Sequence, residues 1–233
     1  MEANMKPSSR PSKPSHISVI LSTYNAPLWL EKSLWGYANQ THHEFEIVIA
    51  DDGSDSQTAA VIDRIRRQFG LIIKHVWHPD EGFRKCTILN RAIEESAGDY
   101  LLFSDGDCIP RADFVQQHYL AARPGRFLSG GYFKLPMPIS KQIDRDDIES
   151  GRAFTLRWLR AGGLNYSRRT IRLLSHGRLA HMLNHLTTTR PTWNGHNASG
   201  WAEDVRRANG FDQRMRYGGE DRELGERLEN AGI

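Results

Sequence analysis

The sequence predicts an α/β fold with a mixed, mostly parallel sheet flanked by helices, and three observations carry that expectation. Apolar, β-branched runs recur in "HISVILSTYN", "FEIVIADDGSD" and "DYLLFSDGD", and each closes on polar residues at its C-terminal side. Helix-periodic segments fill the intervals, the alternation a parallel sheet with crossover helices requires. With 233 residues, 39% hydrophobic and 25% charged, the chain is long enough to bury a substantial core.

Taken in order, residues 1–15 hold three prolines, four serines and no aliphatic run, which predicts a flexible tail. After the first strand, Pro27 suits the first turn of a helix carrying Leu28, Leu30, Leu34 and Tyr37. Beyond the second strand, Val61, Ile62, Ile65 and Phe69 share one face of a helix from Gln57 to Phe69. "LIIKHVW" reads as a third strand and "KCTILNRAIEESAG" as a helix closed by Gly98. "RADFVQQHYLAA" predicts a further helix and "RFLSGGYFKL" a strand. Residues 134–192 read as a basic, mostly helical insertion with breaks at Gly162-Gly163 and Gly177. Residues 193–233 end in the amphipathic "LGERLENAGI", as a chain cut short would.

Charge and cysteine content narrow the function classes. A net charge of +3 makes no case for nucleic-acid binding. Its distribution is uneven, since Gly151 to Ala202 contains eight arginines, four histidines and no acid. That stretch reads as a solvated helical surface, or as a face for an anionic acceptor or a phosphate-rich membrane surface. No segment has the form of a secretory signal or the roughly 18 apolar residues of a membrane span. A cytoplasmic protein, at most peripheral at the inner face of the cell membrane, is therefore expected. Cys86 and Cys108 lack a paired spacing for metal or redox work and are expected buried and reduced. His181 and His185 fall four apart without the glutamate of a zinc helix, so they read as surface or core residues.

In doubly wound sheets, ligands sit outside the carboxyl ends of the strands, and there the chain gathers acids. Asp105 and Asp107, either side of Gly106, suit a hard cation such as Mn2+ or Mg2+ with positions left for phosphate oxygens. A plain helix-capping turn is the other reading. Asp51 and Asp52 end a neighbouring strand, where one carboxylate can accept from a nucleobase or ribose. Four acids so placed repel one another unless a cation or partner compensates. In "YGGEDRELGERL", the Gly218-Gly219 pair allows tight backbone beside a ligand ahead of Glu220 and Asp221. Alternatively, these acids simply complement the N-terminus of an amphipathic helix.

These residues carry a resemblance. "ISVILSTYNAPLWLEKSLWGYANQT", "FEIVIADDGSDSQT" and "AGDYLLFSDGDCIP" resemble, in order, the opening strand, acidic second-strand turn and Asp-x-Asp of family 2 glycosyltransferases with the GT-A, Rossmann-like fold. "GHNASGWAEDVRRANGFDQRMRYGGEDRELGERLENAGI" is similar to the C-terminal segment of galactosyltransferase-like and polysaccharide-polymerising members. The resemblance implies a nucleotide-sugar-binding half over 16–133 and an acceptor-binding, catalytic segment over 193–233. It further implies an inverting, divalent-metal-dependent transfer of a hexose from a nucleotide sugar, a uridine diphosphate sugar first, to a bacterial surface glycan or lipid-linked acceptor. Thr23, Tyr24, Asn25, Asp51 and Asp52 would line the nucleotide pocket, with Asp51 reading the base. Arg84, Lys85 and Asn90 would face the diphosphate and ribose, Asp105 the ribose or metal, and Asp107 the metal. Asp221 would be the general base and Glu220 would hold the acceptor, beside Trp193, His196, Asn197, Tyr217, Gly218 and Gly219. Tyr217 stands where the family often has tryptophan, and relatives often take a further metal-ligating histidine from beyond the position of Ile233.

Two other readings share this scaffold. A nucleotidyltransferase that makes the nucleotide sugar also uses aspartates and a divalent ion, but opens with a glycine-rich phosphate loop, and "STYNAP" has no glycine. A non-catalytic glycan-binding module has no need of the intact acids.

Overall fold

The computed structural model describes residues 11–165 and 192–233, where the predicted alternation becomes a six-stranded sheet. Strands β1 (Ile17–Thr23), β2 (Phe45–Asp51), β3 (Ile73–Trp77) and β4 (Tyr100–Asp105) are parallel. They are joined by α1 (Pro27–Ala38), α2 (Ser56–Phe69) and α3 (Lys85–Glu95). After α4 (Phe114–Ala121) come β5 (Leu128–Ser129) and β6 (Ala198–Trp201), the latter antiparallel to both β4 and β5. The order β3-β2-β1-β4-β6-β5 confirms the mixed, mostly parallel sheet.

Strand alternation explains why helices cover both faces. Ile17, Val19 and Leu21 of β1 join Leu30, Leu34, Ile62 and Ile65 in one core layer. Ile20, Val48 and Phe103 pack on the other face against Ile88, Leu89, Leu224 and Leu228. Pro27 opens α1, and the Asp55 carboxylate caps α2 by accepting from the Gln57 amide at 3.0 Å. From β1 the chain winds outward to β2 and β3, then crosses over to place β4 on the other side of β1. The crevice at the carboxyl ends of β1 and β4 is therefore the switch point where such sheets take ligands.

Residues 1–10 of the expected tail lie outside the described residues; at its end Lys13 Nζ donates to the Tyr119 carbonyl at 3.3 Å, and the Ser15 amide donates to Asp99 at 3.0 Å. Two expectations are corrected. Helix α3 ends with Ser96 as its cap, ahead of Gly98. Of "RFLSGGYFKL" only Leu128–Ser129 pairs as strand, because the chain then turns to meet Asn197: the Gly130 amide donates to its carbonyl at 2.7 Å.

Helices α5 (Met137–Gln142), α6 (Arg145–Glu149) and α7 (Leu156–Ala161) form a satellite layer on Trp35 of α1. Gly177, His181 and His185 lie outside the described residues. The chain closes with α8 (Ala202–Arg207) and α9 (Glu220–Asn230). No helix among the described residues is long and apolar enough to cross a membrane.

Candidate active site

Register decides which acids share the crevice. Ser22 of β1 aligns with Ala50 of β2 and Asp105 of β4, whereas Thr23 aligns with Asp51. Aligned residues point to one face, so Asp105 faces α3 and α9 while Asp51 faces the opposite layer. Asp51 is fully buried, at 0% exposure. Its Oδ1 accepts from the Ser54 amide and its Oδ2 meets His75 Nε2, both at 2.8 Å. Burial pushes this carboxyl up, but the bonds from His75 and Ser54 outweigh it and hold it below the usual range. Asp51 thus locks the turn after β2 and, unlike the expectation for a base reader, is not among the residues that line the neighbouring cavity.

The neighbouring Asp52 faces a cavity of about 400 Å3 that Thr23, Tyr24, Trp29, Phe83, Lys85, Asp105 and Asp107 also line. Its Oδ1 meets His78 Nε2 at 2.8 Å and its Oδ2 accepts from the Arg84 amide at 2.9 Å. Tyr24 is half-exposed, and its hydroxyl donates to Asp80 Oδ2 at 2.8 Å. Thr23 Oγ1 is buried without a partner. Asn25, at a φ of 45°, stitches two loops: its amide donates to Ser54 Oγ and its Oδ1 accepts from the Asp55 amide. Asn25 is therefore spent on the turn.

At the end of β4, Asp105 Oδ1 accepts from Ser22 Oγ at 2.8 Å and from Lys85 Nζ at 3.2 Å. Gly106 is dictated by β1: its amide donates to the Ser22 carbonyl at 2.8 Å, and a Cβ would meet that oxygen at 2.9 Å. Exposed Asp107 completes a group in which ligand atoms of Asp105, Asp107 and Cys108 lie within 4.8 Å of one another. Burial, then the Asp107 and Asp105 charges, push the Cys108 thiol up to about 12, so it offers a neutral sulfur beside two carboxylates. The hard oxygen pair fits Mn2+ or Mg2+.

Helix α9 delivers its acids to the same place. Gly218 and Gly219 adopt left-handed φ values of 81° and 88°, which turn the chain back so that the helix starts with Glu220 and Asp221. Glu220 Oε2 and Asp221 Oδ1 are both buried and make no hydrogen bond. Burial raises the Asp221 carboxyl against the pull of Lys85 and of the Gly195 backbone, and Glu220 and Asp105 add to the rise. Burial lowers Lys85, but Asp105, Asp221 and Glu220 outweigh it and hold the ammonium above its ordinary value. One lysine thus bonds an acid of β4 and feels the charge of the acids of α9. Tyr217, 88% exposed, sets its ring edge-on to Phe83 with centroids 5.4 Å apart, so this turn touches the cavity wall.

Other expected site residues have protein partners in this structure. Trp193 is fully buried between Phe103 and Phe127, too deep to stack on an acceptor. Asn197 donates to the Gly131 carbonyl and accepts from His118, and Asn90 exchanges two bonds with the Phe211 backbone. Arg84 contributes its amide to Asp52 and pairs its guanidinium with Glu81. His196 stacks edge-on to Tyr132 at 4.5 Å, at the surface. Sequence reasoning missed His75 and His78, which hold the two second-strand aspartates, and Ser22, which holds Asp105. For Ser22 and His78 the signal was position, at or just past the carboxyl ends of strands where the acids gather; His75, in the middle of β3, carried none.

Comparison with known proteins agrees with this geometry. The family described as "Glycosyl transferase family 2" matches residues 18–134. The chain is 33% identical over 131 residues to a validoxylamine A glucosyltransferase of Streptomyces hygroscopicus subsp. limoneus, covering 52% of this chain and 27% of that protein. Among solved structures it resembles a mannosyltransferase of Pyrobaculum calidifontis in complex with GDP-Man and Mn2+, with a TM-score of 0.61 and 19% identity. That likeness covers 98% of this chain and 57% of the other. It also resembles S. aureus TarS 1-349 in complex with UDP-GlcNAc, with a TM-score of 0.51 and 17% identity over 91% of this chain and 53% of the other. The chain thus spans about a quarter of the glucosyltransferase and somewhat over half of each of these structures. At such identities the structural likenesses establish the GT-A fold alone.

Proposed function

This chain belongs to glycosyl transferase family 2, and from that membership we propose an inverting, divalent-metal-dependent transfer of a hexose from a nucleoside-diphosphate sugar to a hydroxyl of a glycan or glycolipid. The observation that carries the proposal is Lys85, whose ammonium bonds Asp105 of the donor crevice at 3.2 Å and is held charged also by Asp221 and Glu220 of α9. Acids from distant parts of the chain then serve one reaction centre.

Asp105 and Asp107 would hold Mn2+ or Mg2+, which when bound neutralises charge on the departing diphosphate. Asp52, fixed by His78 and the Arg84 amide, keeps lone pairs for an N–H of the base or a ribose hydroxyl. Uracil and guanine both present such an N–H. A uridine diphosphate sugar is the proposed donor; the neighbours with GDP-Man and UDP-GlcNAc support the nucleotide-sugar class. Thr23 Oγ1, buried and unpartnered, is free to bond the nucleoside. Asp221, raised by burial, takes the proton of the attacking hydroxyl as the new C–O bond forms opposite the leaving oxygen. Glu220 and the Tyr217 ring position the acceptor sugar. The arginine-rich stretch 151–202 is the proposed face for a phosphate-bearing, lipid-linked bacterial acceptor.

The test is nucleoside diphosphate release from a panel of UDP- and GDP-sugars with Mn2+. Asp107→Ala is expected to lower release at least about 100-fold, a loss in the range of a removed transition-state charge contact. An unchanged rate in that variant, or no release by the parent chain from any donor, would sink the proposal.

A further inference from the structure

Lys85 does more in this geometry than face a diphosphate. Asp105 Oδ1 has two lone pairs, and both are directed at protein donors: Ser22 Oγ at 2.8 Å and Lys85 Nζ at 3.2 Å. That oxygen is therefore already occupied, and the ammonium stands against the carboxylate that would join Asp107 in holding a divalent ion. Lys85 is the sole cationic side chain among the described residues that line the cavity. Three acids line it with Lys85, namely Asp52, Asp105 and Asp107, and the carboxylates of Glu220 and Asp221 also act on its ammonium. An ammonium in hydrogen-bond contact with Asp105 repels a divalent ion arriving at the same carboxylate. The diphosphate of a donor reverses that balance, because its oxygens supply partners for both cations at once. Lys85 is the first residue of α3 and carries a flexible four-carbon stem, so its head group can move without disturbing the helix.

We propose that Lys85 is an internal counter-cation that competes with the divalent ion for Asp105, so that ion and nucleoside diphosphate enter as a coupled pair. The inference rests on the glycosyltransferase reading and adds an order to it: the ion alone is held weakly, and the diphosphate, by drawing the ammonium away, raises its affinity. Linkage requires the reciprocal effect of the ion on nucleotide affinity. The chain then does not load its metal in a form that lacks substrate.

The experiment is a titration of the 233-residue chain with Mn2+, following free Mn2+ by electron paramagnetic resonance, alone and with saturating UDP or GDP. The parent chain is expected to bind Mn2+ about tenfold or more tightly with nucleotide than without, within the usual span of coupling between sites. Lys85→Met is expected to bind Mn2+ alone about tenfold more tightly than the parent and to lose most of the coupling, whereas Lys85→Arg, which keeps the charge, retains the parent pattern. A gain in metal affinity is an outcome that mere damage to the fold does not produce, and Lys85→Gln repeats the test should the methionine variant fold poorly. If the parent shows coupling but neither neutral variant gains affinity for Mn2+ alone, the competition is overturned and the glycosyltransferase reading stands. If the parent binds no Mn2+ with either nucleotide, both fall.

Discussion

The two halves of the site treat their carboxylates in opposite ways. On the nucleotide side, protein donors hold the acids: Asp51 by Ser54 and His75, Asp52 by His78 and the Arg84 amide, Asp105 by Ser22 and Lys85. On the acceptor side, Glu220 Oε2 and Asp221 Oδ1 are buried with no hydrogen bond. A buried polar group left unpaired costs about 1–3 kcal/mol, and more when charged. Under the proposed function, the difference follows from the work each side would do. Groups that bind a donor profit from being fixed in advance, whereas each hydrogen bond to a general base stabilises its charged form and weakens it as a base.

The sharpest way to break this contrast is Asp221→Asn. Transfer is expected to fall by about 10²- to 10⁴-fold, the usual contribution of a positioned base. The melting temperature, by contrast, is expected to hold or rise, because the substitution removes a buried charge near Glu220 and Asp105. The pH dependence has a definite sign. A carboxyl raised in the folded chain favours folding when protonated, so its contribution to stability grows as pH falls through the raised value. The base form is lost over the same interval, so the parent's rate should decline on an acid limb above the ordinary carboxylate range. A clear drop in melting temperature for Asp221→Asn would show that the acceptor side is held together by this acid after all.

Asp51→Ala probes the opposite side and should invert the pattern. Removing a fully buried acid strands His75 and frees the Ser54 amide, a loss of about 4 kcal/mol by analogy with broken buried pairs. Denaturant unfolding measures it. A stability change under about 1 kcal/mol together with a large loss of nucleotide affinity would return the base-reading role to Asp51.

These contrasts also mark what the residues disclose unaided. Apolar runs such as "FEIVIAD" and the acids that end them are legible, because strand burial and the polar strand end are both local patterns. The direction of a side chain is less so. Asp51 and Asp105 look alike in sequence, yet their positions on aligned strands send them to opposite faces, as Thr23 aligning with Asp51 and Ser22 with Asp105 reveals. Trp193 has the residue type of an acceptor platform, but it is committed to the core against Phe103, a contact between segments 90 residues apart (193 − 103) that no local pattern encodes. His75 and His78 escaped for the same reason, since each acquires meaning only from the acid on the adjoining strand.

A smaller effect shows that the acceptor side is not loosely built. Burial pushes His118 down to about 4, against the bond to Asn197, so the ring is neutral in the folded chain. A neutral ring satisfies the network in one direction: Nε2 donates to Asn197 Oδ1 at 3.0 Å, and Nδ1 accepts from Ser199 Oγ at 2.7 Å, which in turn accepts from the Tyr100 hydroxyl at 2.9 Å. Asn197 then ties down the loop whose Gly195 lies against Asp221, so close that a Cβ there would sit 2.4 Å from its Oδ1. For a histidine lowered in the folded state, stability is complete above its unfolded value and is lost as pH falls from roughly 6.5 toward 4, by at most about 3 kcal/mol. His118→Gln should be less stable than the parent at neutral pH yet lose less between pH 6.5 and 4, as followed by denaturant unfolding at each pH. An equal acid slope in both chains would mean that His118 is charged in the folded state. If the slope differs while the acid limb of transfer stays in place, the raised carboxyl of Asp221 is a property of α9 and its glycine turn, held independently of the network that supports the loop beside it.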